Sequence, residues 1–321
     1  MSERSYYDGQ PHYDRETVRF FDVAHEGAQF RAVAQAADSL GHLSQAAPRS
    51  VVIVATDQIA EAAARCAVTL AGPARYPVVV VRQLPHYVGP LDVVLVVGDA
   101  PDAEAVVGDL ATAAGRGAET ILAGPQTGPV PEDAPADTVI IAGPPTARGS
   151  SPMRTIAAVQ AVLAALSGQV AVLDGVAEDI DYELSQLSPE RDVTVNAARQ
   201  LREFVQGARI VHTGYSVAGA AVAQLVATLW STRGLPGGFV SREELAITLE
   251  EAQAAGGADP SDIFHDPFID GEAEALPVKV IVWGETDARL SSGRAEAVEG
   301  EETTAAHRLI VRALAATALQ D

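Results

Sequence analysis

A single cysteine, Cys66, stands in this chain of 321 residues. No intrachain disulfide can form, nothing points to an oxidising compartment, and an Ala-rich helical setting makes a buried bystander thiol the expected role. Lysine is equally scarce: Lys279 is the one lysine among 22 basic residues, set against 43 acidic ones. The formal net charge of −21 repels phosphodiester backbones and anionic membrane surfaces at long range. Neither nucleic acid nor membrane is expected as a partner. There is no run of about twenty apolar residues such as a membrane-spanning helix needs. The first fourteen residues are polar and aromatic and read as neither signal peptide nor anchor. The expected location is the cytoplasm.

Cofactor and metal signatures are also missing. Gly214 and Gly219 follow a strand and open a helix, but the other glycines of a dinucleotide loop are absent. Gly234, Gly237 and Gly238 surround Pro236 without the lysine of a phosphate-binding loop, and turn chemistry accounts for them. Asp179, Asp181 and Glu183 have no His or Cys beside them and read as a solvated acidic face. No cofactor and no metal is expected.

What is present is a repeated strand-then-helix unit. Ser50-Val-Val-Ile-Val-Ala-Thr56 leads into an Ala-rich helix, and Ala208-Arg-Ile-Val-His-Thr213 leads into another. Short β-branched runs at 51–55, 78–81, 92–97, 120–122, 138–141 and 278–283 predict buried parallel strands. Helical spacing at 20–43, 59–70, 103–114, 155–166, 170–187, 193–205, 217–229, 242–254 and 304–319 predicts the leading, crossover and closing helices. The fold class is therefore α/β: two three-layer α/β/α subdomains with parallel sheets, joined by helices. The reading divides the chain into a loose leader at 1–19, an N-terminal unit at 20–168, and connecting helices with a C-terminal unit at 169–321.

Three residues are candidates for chemistry. His265, among aromatic residues in Asp262-Ile-Phe-His265-Asp-Pro-Phe, suits a pocket lining and titrates near neutrality when unperturbed; a structural histidine fits the same residues. Arg154 lies one turn into a helix that starts at Ser151-Pro152, placed to meet an anion at the positive helix end, with a plain surface arginine as the alternative. His212 ends a buried strand and reads as core.

Taken in order, these pieces resemble the two-domain sugar isomerase (SIS) proteins, and within them the bifunctional phosphoglucose/phosphomannose isomerases. Val78-Val-Val-Val-Arg-Gln-Leu-Pro85-His-Tyr-Val88 is similar to the family's strand and Tyr-x-Leu-Pro turn. Ser151-Pro-Met-Arg154 is similar to its Pro-Arg-Ala helix start, and Phe264-His265-Asp266 to its Asn-His-Asn-Glu loop. The resemblance implies aldose–ketose isomerisation of a sugar phosphate or sugar derivative in carbohydrate metabolism, a homodimer, and catalytic roles for His265 (ring opening) and Arg154.

Other motifs are degenerate. Where the family has the hydroxyl-rich Ser-Tyr-Ser-Gly-Asn-Thr-Glu-Glu-Thr, this chain has Gly98-Asp-Ala-Pro-Asp-Ala-Glu-Ala-Val106, which presents carboxylates to a phosphate. Ala55-Thr56-Asp57-Gln58 replaces the glycine-rich turn, and Ala227-Thr-Leu-Trp230 has no glutamate to shuttle the proton. Glu243 and Glu244 are the nearest substitutes, and the family's C-terminal lysine has no counterpart. The implied reading is an isomerase-family protein with impaired catalysis; the alternative is a non-catalytic SIS-fold protein with a regulatory or partner-binding role.

Overall fold

The computed structural model describes residues 14–100, 104–144, 149–169, 173–256 and 276–319. The first unit is built on a five-stranded parallel sheet in the order β2 (Val78–Val81), β1 (Ser50–Ala55), β3 (Asp92–Val97), β4 (Glu119–Gly124), β5 (Val139–Ala142). Strands β1 and β3 are buried throughout, which is why they are continuous β-branched runs. Their side chains alternate between faces. Val51, Ile53, Val93 and Leu95 join the main core, whereas Val52, Val54, Val94 and Val96 meet a separate layer containing Val106 and Leu110 of the helix Glu104–Gly115.

The helices, numbered along the chain, are α1 (Arg15–Ala24), α2 (Glu26–Ala36), α3 (Gln58–Leu70), α4 (Glu104–Gly115), α5 (Pro129–Glu132), α6 (Pro152–Leu166), α7 (Asp174–Gln186), α8 (Ala197–Val205), α9 (Val217–Thr232), α10 (Leu245–Gly256) and α11 (Glu302–Ala318). A second parallel sheet runs β7 (Gly237–Phe239), β6 (Arg209–Gly214), β8 (Val278–Trp283), β9 (Gly293–Glu296). Leu245 of α10 covers one face of it, and α9 covers the other, with α11 packed on α9. The α/β layering is as the sequence predicts. The two units meet where α3 packs on α9, through small buried residues such as Ala63, Ala67 and Ala223. One apolar cluster consequently runs from Phe20 to Leu319.

Several elements differ from their sequence-based outlines. The single helix expected over 20–43 is two helices and a 3-10 segment, Ala37–Gln45, because the chain turns at His25, whose ring Nδ1 lies 2.7 Å from the Phe21 carbonyl oxygen. The break lets α1 bury Val18, Phe20 and Val23 while α2 turns Glu26, Gln29, Phe30 and Val33 inward, against α6 and α7. Strand β7 falls where two glycines read as a turn, and β9, Gly-Arg-Ala-Glu, has no β-branched residue to announce it. Helix α8 begins at Ala197 because the Asn196 side chain accepts from the Ala198 and Arg199 amides and caps it there.

The acidic face also needs correction. Asp179 is exposed, but Glu183 is buried and accepts from Arg308 at 2.9 Å and Arg312 at 2.8 Å. It ties α7 to α11. Among the described residues no cluster of three or more His, Cys, Asp or Glu side chains is suited to a metal ion, and no helix is long and apolar enough to cross a membrane.

Candidate functional site

In an open parallel α/β sheet the ligand crevice lies beyond the carboxyl ends of the strands, where the connections diverge to opposite sides. The order β2-β1-β3-β4-β5 puts that point between β1 and β3. The two chain segments there are Thr56-Asp57 after β1 and Gly98-Asp99 after β3, and they are packed against each other. A Cβ on Gly98, whose φ is +124°, would stand 2.1 Å from the Thr56 hydroxyl oxygen. Asp57 Oδ2 accepts from the Asp99 amide at 3.0 Å, while its Oδ1 caps α3 through the Ala60 amide at 2.9 Å. This carboxylate serves the backbone.

Arg154 enters the same place from the first turn of α6. Ser151 caps that helix, its hydroxyl oxygen accepting from the Arg154 amide at 3.1 Å, and Pro152 takes the position where a backbone donor would be orphaned. The guanidinium is 4% exposed, so the surface-arginine alternative does not hold. It forms an ion pair with Asp99 and donates to the Gln29 side-chain oxygen at 2.9 Å. Asp99 also accepts from the Ser151 amide at 2.7 Å. Burial depresses the arginine to about 10, opposed by the charges of Glu26 and Asp57. It stays cationic at neutral pH, with its counter-ion supplied by the chain itself.

Glu26 completes the cluster. Fully buried at the start of α2, it accepts from the Ser151 hydroxyl and the Met153 amide, both at 3.0 Å. Desolvation raises its carboxyl to about 7, outweighing those hydrogen bonds and the positive charges of Arg233 and Arg154. Sequence reading missed Glu26, Gln29 and the inward role of Asp57. A signal existed: positions 26, 29 or 30, and 33 share one helix face, so the two polar residues lie on the buried face of Phe30 and Val33.

His265 lies outside the described residues, so its relation to Arg154 is a matter for experiment. Glu243 and Glu244 are exposed, and Glu244 accepts from the Ser241 hydroxyl at 3.3 Å. Trp230, where an acid would be needed, is buried and donates its indole N–H to the Ala313 carbonyl at 2.9 Å. His212 is core, as read from the sequence: its Nδ1 accepts from the Trp283 indole at 3.2 Å, and burial holds the ring neutral, at about 3. Cys66 is buried and desolvation pushes its thiol to about 12, which leaves no thiolate for chemistry.

The second sheet has its own divergence point, between β6 and β8. A cavity of about 230 Å³ opens there, lined by Ser216, Gly219, Gly284, Gly300 and Glu302 among others. The strand ends are locked together beside it: a Cβ on Gly219 would lie 2.4 Å from the Trp283 carbonyl oxygen.

No protein-family model and no curated protein matches the sequence. Solved structures do match. The C-terminal domain of glucosamine-fructose-6-phosphate aminotransferase from Francisella tularensis superposes with a TM-score of 0.63 at 12% identity, over 98% of this chain and 97% of that one. Tagatose-6-phosphate ketose/aldose isomerase from Escherichia coli gives 0.60 at 14% identity, covering 98% and 93%. A protein from Silicibacter pomeroyi DSS-3, provisionally assigned as a phosphosugar isomerase, gives 0.58 at 18%, covering 93% and 95%. At these identities the likeness is one of fold, and it extends over nearly the whole chain: the architecture is the two-unit SIS-type α/β fold of these structures.

Proposed function

We propose that this chain is a sugar-phosphate-isomerase-like protein of carbohydrate metabolism, derived from the phosphoglucose/phosphomannose isomerase type, in which aldose–ketose catalysis is impaired. The observation that carries this reading is the ion pair between Arg154 and Asp99. A buried arginine beside the strand ends is what an anionic substrate would need, and here a carboxylate of the same chain satisfies it. The absence of an acid at Ala227-Thr-Leu-Trp230 supports the loss of proton transfer. A second reading, a non-catalytic protein with a regulatory or partner-binding role, is favoured by the same closure: Glu26, Gln29, Asp99 and Arg154 bond to one another or to the α6 backbone.

The test uses glucose 6-phosphate, mannose 6-phosphate, fructose 6-phosphate and inorganic phosphate. The natural protein is expected to show little thermal stabilisation by any of them and no isomerase turnover. Asp99→Ala leaves the Arg154 charge unpaired, so it is expected to be less stable and to regain stability as phosphate is added, by about 2.7 kcal/mol at a hundredfold excess over Kd. Turnover of the natural protein at ordinary enzyme rates would sink the impaired-catalysis reading; a phosphate response equal in both proteins would sink the role given to Asp99. A homodimer is part of the same proposal, and sedimentation at the monomer mass at micromolar concentration would count against it.

A further inference from the structure

Far from the strand ends, a second cavity of about 570 Å³ lies between the two units, a size ordinary for small-molecule sites. Its walls include Leu70 at the end of α3, Tyr76, Leu163 of α6 and Val176 of α7. Gln160 of α6 and His307 of α11 contribute polar groups to this apolar lining. Leu163 and Ser167 lie nine to thirteen residues beyond Arg154 on and just past α6, roughly 14–20 Å along the helix axis. The cavity is therefore separate from the arginine cluster.

The His307 ring is wholly buried and stands edge-on to Phe30, with 5.4 Å between ring centres. Its Nε2 is 3.1 Å from the Gln160 side-chain nitrogen. An amide nitrogen only donates, so Nε2 accepts and the ring proton resides on Nδ1. That Nδ1–H is buried without a hydrogen-bond partner among the described residues. Buried donors are rarely left unmatched, and His307 belongs to the wall of this cavity, the nearest space that could supply an acceptor. Desolvation depresses the ring to about 4, so it offers this donor without a charge.

The charges at the rim do not favour an ion. Glu301 accepts from the Thr304 amide as the cap of α11, and the Arg75 guanidinium, of opposite sign, sits over the Tyr76 ring at 5.5 Å. We propose that this cavity binds an uncharged amphiphile: a ring-sized apolar body carrying one carbonyl or hydroxyl oxygen that accepts from His307. Because α3, α6, α7 and α11 all contribute to the lining, the occupant bridges both units.

Three naphthalene probes test this by fluorescence titration. The ketone 6-propionyl-2-(dimethylamino)naphthalene has the ring and the acceptor; 2-(dimethylamino)naphthalene lacks the acceptor; 8-anilinonaphthalene-1-sulfonate carries a charge. The ketone is expected to bind with one-to-one saturation and blue-shifted emission. The acceptor-free probe should bind roughly 3- to 10-fold more weakly, the worth of one hydrogen bond. The sulfonate should bind about tenfold more weakly or not at all. His307→Phe should reduce ketone affinity to that of the acceptor-free probe, and Ala164→Trp, which fills the cavity from its wall, should abolish saturable binding. If His307→Phe does not fold, the probe pair reads the same hydrogen bond in the natural protein. No saturable binding, binding unaffected by Ala164→Trp, or equal affinity for all three probes overturns the proposal.

Discussion

Glu26 is the residue at which solution conditions reach the arginine cluster. Its carboxyl titrates near 4.5 when unfolded and about 7 when buried, so below about pH 4.5 it is neutral in both states and costs nothing. Between these values the folded protein holds a proton that the unfolded chain has released. Stability is therefore lost as pH rises through this window, by about 3 kcal/mol in total, and the loss is complete above about 7. The difference in urea-unfolding free energy between the natural protein and Glu26→Gln is expected to vary with pH across 4.5–7, with the variant gaining on the natural protein toward alkaline pH. Identical pH slopes in the two proteins would refute this. Arg154 also warns against reading an alanine variant as a simple loss of ligand contact. Arg154→Ala would leave Asp99 buried without its cation, so a fall in stability must be separated from a fall in binding.

At the scale of elements, the closest backbone-to-backbone approach at a glycine joins β6 to α9. A Cβ on Gly214 would lie 2.1 Å from the Gly219 carbonyl carbon, so strand end and helix start touch backbone to backbone. Gly214→Ala is expected to cost about 3 kcal/mol or more, seen as a lower denaturant midpoint with little change in slope. A midpoint within error of the natural protein would show that the joint relaxes freely. The glycine spacing that superficially suggests a dinucleotide loop is thus accounted for by packing. Elements with strong apolar periodicity were legible: β1, β3, α3 and α9 fall nearly where their residues predict. What escaped were features set by neighbours. The turn at His25 is visible only once two faces have separate partners, and β9 is a strand because β8 pairs with it. Arg154 was legible as a residue at a helix start, but its pairing with Asp99, 55 positions earlier, depends on the order of strands in the sheet.

For the whole molecule, the contact of α3 with α9 matters more than the division into two sheets. Residues from both units share one apolar cluster, so calorimetric unfolding is expected as a single transition, and a fragment ending at residue 168 is expected not to fold cooperatively. Two resolved transitions would show that each unit is stable alone. The position of α11 has a consequence for synthesis. This helix is buried along most of its length, packs on α9, α7, α8 and α1, and donates from Arg308 and Arg312 to Glu183 of α7. A nascent chain that has already made α1 and α7 must wait for more than a hundred further residues, roughly five to thirty seconds at ribosomal speeds, before these faces are covered. During that interval the ribosome holds a half-molecule with an open apolar side, so loss of α11 would remove far more than its own length of structure.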